Sequence, residues 1–259
     1  MIDISDLNFS YSDGTTIFDQ FNVSIKRGES WSIVGPSGCG KTTLLYLIAG
    51  LKHPTSGTIR IAGHQITAPR PGTGLVLQDH GLLPWATVYE NTILGFKIRH
   101  LYGPDGKHCP AGMPKDRDRE EQLTDYWLSW LGINDLADKY PGQLSGGQLQ
   151  RTAIARTLVL EPDLLLMDEP FSALDAPTRN ELQKEMKRFH AETGLTSITV
   201  THDIEEAVIL GSNILVLTSR VNTVPLIMEN RLAGTDHLTD HPEFKPLCQE
   251  LHRVMGDGV

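Results

Sequence analysis

The stretch from Trp31 to Leu44, Trp-Ser-Ile-Val-Gly-Pro-Ser-Gly-Cys-Gly-Lys-Thr-Thr-Leu, constrains this chain more than any other. Trp31 to Val34 is a short apolar run suited to a buried parallel strand. Gly35, Pro36, Ser37, Gly38, Cys39, Gly40, Lys41 and Thr42 spell G-x-x-x-x-G-K-T. Lys41, Thr42 and Thr43 then open a helix carried by Leu44, Leu45, Leu47 and Ile48. Strand, glycine loop and helix in that order form a phosphate-binding loop. Its backbone N–H groups and the helix N-terminus make an anion site. Lys41 is placed to reach the β- and γ-phosphates of a nucleoside triphosphate, and the Thr42 hydroxyl to ligate Mg²⁺. Cys39 lies within the loop, where its side chain has no required role and reads as a small filler.

At 259 residues the chain has room for one large α/β domain or two small ones. A net charge of −9 and a pI of about 5.5 argue against a nucleic-acid partner, because phosphate neutralisation needs basic surface. The three cysteines, Cys39, Cys109 and Cys248, are too few and too far apart for a disulfide framework or a zinc site, which fits a reducing, cytosolic setting. Met1 to Asp6 has neither the basic nor the apolar region of a signal peptide. No apolar run approaches the roughly 20 residues that span a bilayer. The expectation is a soluble chain that reaches a membrane only through a partner.

Periodicity supplies the rest of the scaffold. Ile2, Ile4, Leu7, Phe9 and Tyr11, followed by Phe21, Val23 and Ile25, predict two antiparallel strands joined through Gly14. Further strands are predicted at Thr58–Ile61, Leu75–Leu77, Leu164–Met167, Ile198–Val200 and Ile214–Leu217. Helices are predicted from Arg117 to Leu131, with Leu123, Tyr126, Trp127 and Trp130 inward, and at 146–160, 178–193 and 205–210. Leu101 to Pro114, rich in Gly and Pro, predicts a surface loop. The charge run from Lys115 to Glu121 predicts a solvated face. Strands alternating with helices argue an α/β fold with a mostly parallel sheet.

Two further stretches carry chemistry. Leu164 to Glu169 is a four-residue apolar strand closed by two acids. Asp168 is placed to hold Mg²⁺ through water, and Glu169 to accept the proton of an attacking water. Ser145, Gly146, Gly147 and Gln148 open another helix, a second phosphate-ready N-terminus. One loop already serves the triphosphate, so this second donor cluster is best explained as capping the γ-phosphate held by another subunit.

With these motifs in order, the chain resembles the ATP-binding subunit of an ATP-binding-cassette (ABC) transporter over nearly its whole length. The resemblance implies an α/β P-loop NTPase cassette with an N-terminal antiparallel β-subdomain and an inserted α-helical subdomain at about 79–160. The ATP-binding domain would span 1–235 and a short tail 236–259. It implies that Tyr11 stacks on adenine and that Gln78 senses Mg²⁺ and the attacking water. His202 would contact the γ-phosphate and orient Glu169, and Asp175 would belong to a loop crossing between subunits. Two copies would then sandwich two Mg-ATP molecules, with separate transmembrane subunits and a solute-binding protein completing the system at the cytoplasmic face of the membrane. The stretch from Gln78 to Asn91 is similar to the nitrate, sulfonate and taurine importer branch, in which Leu82, Leu83, Pro84 and Trp85 recur after the glutamine. Four apolar residues in so loop-like a stretch predict either a plug for the helical subdomain's own core or a groove for a transmembrane subunit. The rival activity is a soluble ABC ATPase of DNA repair or translation. The short, Pro-broken interval before Ser145 and the single cassette argue against it.

Overall fold

The computed structural model describes residues 1–112, 115–218, 221–235 and 238–256. In chain order the strands are β1 (Ile2–Ser10), β2 (Thr16–Ile25), β3 (Ser30–Val34), β4 (Ser56–Ile61), β5 (His64–Gln65), β6 (Thr73–Val76), β7 (Leu164–Asp168), β8 (Thr196–Val200), β9 (Asn213–Val216) and β10 (Leu226–Glu229). The helices are α1 (Lys41–Ile48), α2 (Val88–Thr92), α3 (Leu94–Tyr102), α4 (Arg117–Trp130), α5 (Gly146–Leu158), α6 (Ala176–Thr193), α7 (Ile204–Leu210) and α8 (Phe244–Gly256). The chain divides into two compact units, one formed by 1–69 with 181–259, the other by 70–180. Among the described residues no helix is long and apolar enough to cross a membrane.

The first unit holds an antiparallel sheet in the order β2-β1-β4-β5. Alternation sets its inner face: Ile2, Ile4, Leu7 and Phe9 are buried with Phe21, Val23 and Ile25 opposite and Ile59 and Ile61 on the other side. The same unit contains β3, paired in parallel with β8 and β9, and β10 antiparallel to β9. All five residues of β3 are buried, as a strand between two parallel neighbours requires. Behind it, Val34, Val208 and Val216 pack with Phe244, Cys248 and Leu251 of α8.

The second unit pairs β6 and β7 in parallel, Thr73 opposite Leu164 and Val76 opposite Met167. Arg70 braces the start of β6 with two bonds to Asp163, at 2.8 and 2.5 Å. Helices α2 to α5 form the inserted helical subdomain expected from the resemblance.

Several sequence expectations need correction. Tyr126 is not inward: it is 52% exposed, and α4 buries Thr124, Trp127 and Leu128 instead. Tyr126 meets its neighbour Trp127 edge-on at 5.2 Å, which satisfies an aromatic ring without burying it. Leu101 and Tyr102 close α3 rather than opening a loop, so the irregular stretch begins at Gly103. The β6 strand starts two residues before Leu75 and stops at Val76. Strand β10 was not expected, because its partly exposed residues show no alternation. Pro114, at the end of the expected loop, and Asp236, at the start of the expected tail, lie outside the described residues.

Candidate functional site

In the first unit β3 delivers the chain to the phosphate loop and α1 leaves it. Gly35 and Gly40 both have positive φ, 154° and 103°. A methyl group at Gly35 would sit 2.4 Å from the Leu217 carbonyl oxygen, and one at Gly40 would sit 2.3 Å from Ile17 Cγ2. No side chain fits at either position. Gly40 is also the N-cap of α1 and supplies no side-chain acceptor, so the first turn of that helix offers its N–H groups to a ligand. Lys41 is 8% exposed, and its ammonium donates to the carbonyls of Gly35 (2.8 Å) and Pro36 (3.0 Å). Those two bonds draw the loop around the lysine head. Pro36 is half-buried, Ser37, Gly38 and Thr42 are exposed, and Thr43 is buried. Burial pushes the Cys39 thiol up despite the nearby Lys41 charge, which disfavours the thiolate form.

Tyr11 lies just beyond β1, and its hydroxyl hydrogen-bonds to the Thr43 hydroxyl. Lys52 Nζ stands 5.2 Å over the Tyr11 ring. The expected base platform is thus tied to the phosphate helix. His202 is exposed in the turn between β8 and α7, whose N-terminus is capped by Asp203.

In the second unit the ends of the parallel pair β6 and β7 bring Gln78 and Glu169 together. Gln78 Nε2 donates to Glu169 Oε2 at 3.2 Å. Asp168, the last residue of β7, is 3% exposed. Glu169 has φ 46°, a left-handed conformation that an ordinary residue adopts only at a cost of about 1–2 kcal/mol. Strain of this kind collects where a side chain must be aimed. The Ser172 hydroxyl donates to the Glu169 carbonyl at 3.0 Å and holds the turn.

Ser145 caps α5 through a reciprocal pair: its hydroxyl accepts from the Gln148 N–H (3.4 Å), and Gln148 Oε1 accepts from the Ser145 N–H (2.9 Å). Gly146 lies against the loop that follows Glu169, and Gly147 against the first turn of α6. A methyl at Gly147 would meet Thr178 Cγ2 at 2.6 Å, and one at Gly146 would meet the Ala173 carbonyl at 3.5 Å. Asp175 caps α6, accepting from the Thr178 N–H at 3.3 Å, and these Thr178 bonds hold its carboxyl below the usual range.

Two residues of this region carry no sequence signal. Arg156, on α5, donates to the carbonyls of His80 (2.7 Å) and Gly81 (2.6 Å), fixing the turn after Gln78. Asn91 donates to the carbonyls of Leu83 (3.1 Å) and Ala86 (2.9 Å) and accepts from the Leu83 N–H (2.8 Å). It folds the Leu83–Ala86 stretch into a fixed turn. Leu82 and Leu83 are half-buried there, while Trp85 is 73% exposed. Trp85 is therefore not a core plug.

The family model described as "ABC transporter" matches residues 18–172. An uncharacterised ABC transporter ATP-binding protein of Methanocaldococcus jannaschii is 40% identical over 241 residues, covering 93% of this chain and 85% of its own length. The taurine import ATP-binding protein TauB of Roseobacter denitrificans is 39% identical, covering 95% and 88%. Among solved structures, cbiO1 of Clostridium perfringens, part of the ABC transporter complex cbiONQ, superposes with a TM-score of 0.75 at 30% identity, covering 98% of this chain and 97% of that one. The cassette MJ0796, in a dimeric post-hydrolysis state bound to ADP and Pi, gives 0.74 at 31% identity, covering 89% and 99%.

Proposed function

The chain belongs to the ABC transporter family as an ATP-binding and ATP-hydrolysing subunit, and we propose that it drives solute import through separate membrane-spanning subunits. The observation that carries the catalytic part is the Gln78–Glu169 contact of 3.2 Å at the ends of two paired parallel strands. That bond orients the Glu169 carboxylate and so supports its reading as the general base.

On this reading Gly35 to Thr43 wrap the phosphates, with Lys41 neutralising the γ-phosphate. Adenine stacks on the Tyr11 face opposite Lys52. The family implies Mg²⁺ with the nucleotide. The Thr42 hydroxyl, the Asp168 carboxylate and the Gln78 amide oxygen are all hard oxygen donors, the kind this ion takes. Once bound, the ion neutralises charge on the phosphate oxygens. Glu169 accepts the proton of the attacking water, Gln78 fixes its carboxylate, and His202 orients the γ-phosphate end. Most of the rate enhancement then comes from positioning and electrostatics.

Ser145, Gly146, Gly147 and Gln148 act in trans on nucleotide held by a second copy, an arrangement supported by the dimeric state of the similar cassette. The turn fixed by Asn91 presents Leu83 and Trp85 to a transmembrane subunit, which holds the chain at the cytoplasmic face of the membrane. A solute-binding protein feeds that assembly. The test is phosphate release from ATP by the purified chain. Chelation of Mg²⁺ should abolish turnover, and Glu169→Gln should lower it by about 10²- to 10⁴-fold. Turnover that survives both changes sinks the reading.

A further inference from the structure

Asn222 belongs to none of the motifs above. It follows β9, is 5% exposed and is hydrogen-bonded through every polar atom it has. Its Nδ2 donates to the Cys39 carbonyl at 3.0 Å and the Ile17 carbonyl at 3.3 Å. Its Oδ1 accepts from the Thr218 N–H at 3.0 Å. Its own N–H donates to Ile17 O at 2.9 Å, and its carbonyl accepts from the Asp19 N–H at 3.1 Å. Seating a buried amide accounts for the bonds to Ile17, Asp19 and Thr218. The bond to Cys39 is different, because it enters the phosphate loop.

That bond has a direction. Every described peptide here is trans. In a planar trans peptide the C=O and the following N–H point opposite ways. Holding the Cys39 carbonyl toward Asn222 therefore turns the Gly40 N–H away from it. Gly35 and Pro36 have their carbonyls bound by Lys41, so three loop carbonyls are each held by a named donor. At Gly40 φ is 103°, and the glycine cannot hold the plane by its own preference.

We propose that Asn222 is a positioning residue for phosphate binding: by holding the Cys39 carbonyl, it aims the Gly40 amide at a bound phosphate. This rests on the reading that the loop from Gly35 to Thr42 holds the phosphates of ATP. Asn222→Ala removes the donor. Asn222→Asp keeps the shape and the acceptor for Thr218 but sets an oxygen against the Cys39 carbonyl. The experiment measures ATP affinity, thermal unfolding and the Gly40 amide shift on ATP addition, in the full chain and both variants.

In the wild type ATP should bind and shift the Gly40 amide. In each folded variant affinity should fall about tenfold or more and the Gly40 shift should shrink. Affinity of Asn222→Asp should recover as pH falls and the acid gains a proton to donate. Affinity within about threefold of wild type in either folded variant overturns the proposal, as does weaker binding with an unchanged Gly40 shift. A wild-type chain that fails to bind ATP would instead overturn the phosphate reading itself.

Discussion

At the scale of single residues, the site combines groups that do chemistry with groups that hold them still. On the proposed reading Glu169 does the chemistry, and it is itself held, with a strained backbone and an amide partner in Gln78. Glu169→Gln should leave ATP affinity near wild type while turnover falls, because it removes the base and little of the phosphate contact. Binding and phosphate release measured on the same preparation check the split. Ser145 invites the opposite dissection. As the α5 cap its hydroxyl stabilises the helix by about 1 kcal/mol, so Ser145→Ala should lower unfolding free energy by that amount. Ser145→Asp keeps a capping oxygen and should unfold like the wild type. The same change places a negative charge where the trans cap must meet phosphate, and hydrolysis should be lost. Denaturant unfolding beside an ATPase assay separates the cap from the catalyst.

Between residue and fold stand the elements, and here Arg156 links α5 to the turn after β6 through two carbonyls. Arg156→Leu keeps some bulk but leaves both oxygens without that donor, and should destabilise the chain by about 1–3 kcal/mol in urea unfolding. What could be read in advance follows the same division. Elements marked by an unbroken apolar run, such as β3, β7 and α1, fall within a residue or two of expectation, because burial of a short run on all sides is a local pattern. The motifs of the phosphate loop, Asp168, Glu169 and Ser145 stand out in the sequence because each is a fixed residue type at a fixed spacing, and the chemistry proposed for them is a separate matter of assay. Arg156, Asn91 and Asn222 do not stand out, since each acts on a carbonyl and any carbonyl looks alike in sequence. Tyr126 misled for another reason: it is apolar, but at 3.6 residues per turn it points away from the face on which α4 buries Thr124, Trp127 and Leu128.

For the molecule as a whole, assembly is the quantity to test. Trp85 is exposed and its turn is held by Asn91, so Leu83→Ala and Trp85→Ala should leave melting temperature and ATP affinity nearly unchanged. Co-purification with a membrane-spanning partner should fall. A large drop in melting temperature would return these residues to the core. Cysteines placed at Ser37 and Ser145 should crosslink between chains only when ATP is present. The background for that experiment is quiet: all three native thiols are buried, and burial raises Cys248 to about 11. The division of the chain also sets an order of manufacture. The phosphate loop emerges from the ribosome early, but β8 and β9, which flank β3, are encoded after the whole of 70–180. At about 5–20 residues per second, translation needs roughly 8–32 s to pass from Val34, the end of β3, to Thr196, the start of β8. For that interval a five-residue strand, buried throughout and covered on both edges in the folded chain, has neither neighbour. The inserted unit is contiguous and completes its own β6–β7 pair before those neighbours exist. The nascent chain is thus a candidate client for a ribosome-bound chaperone, and the segment it would have to shield is the strand that leads into the glycine loop.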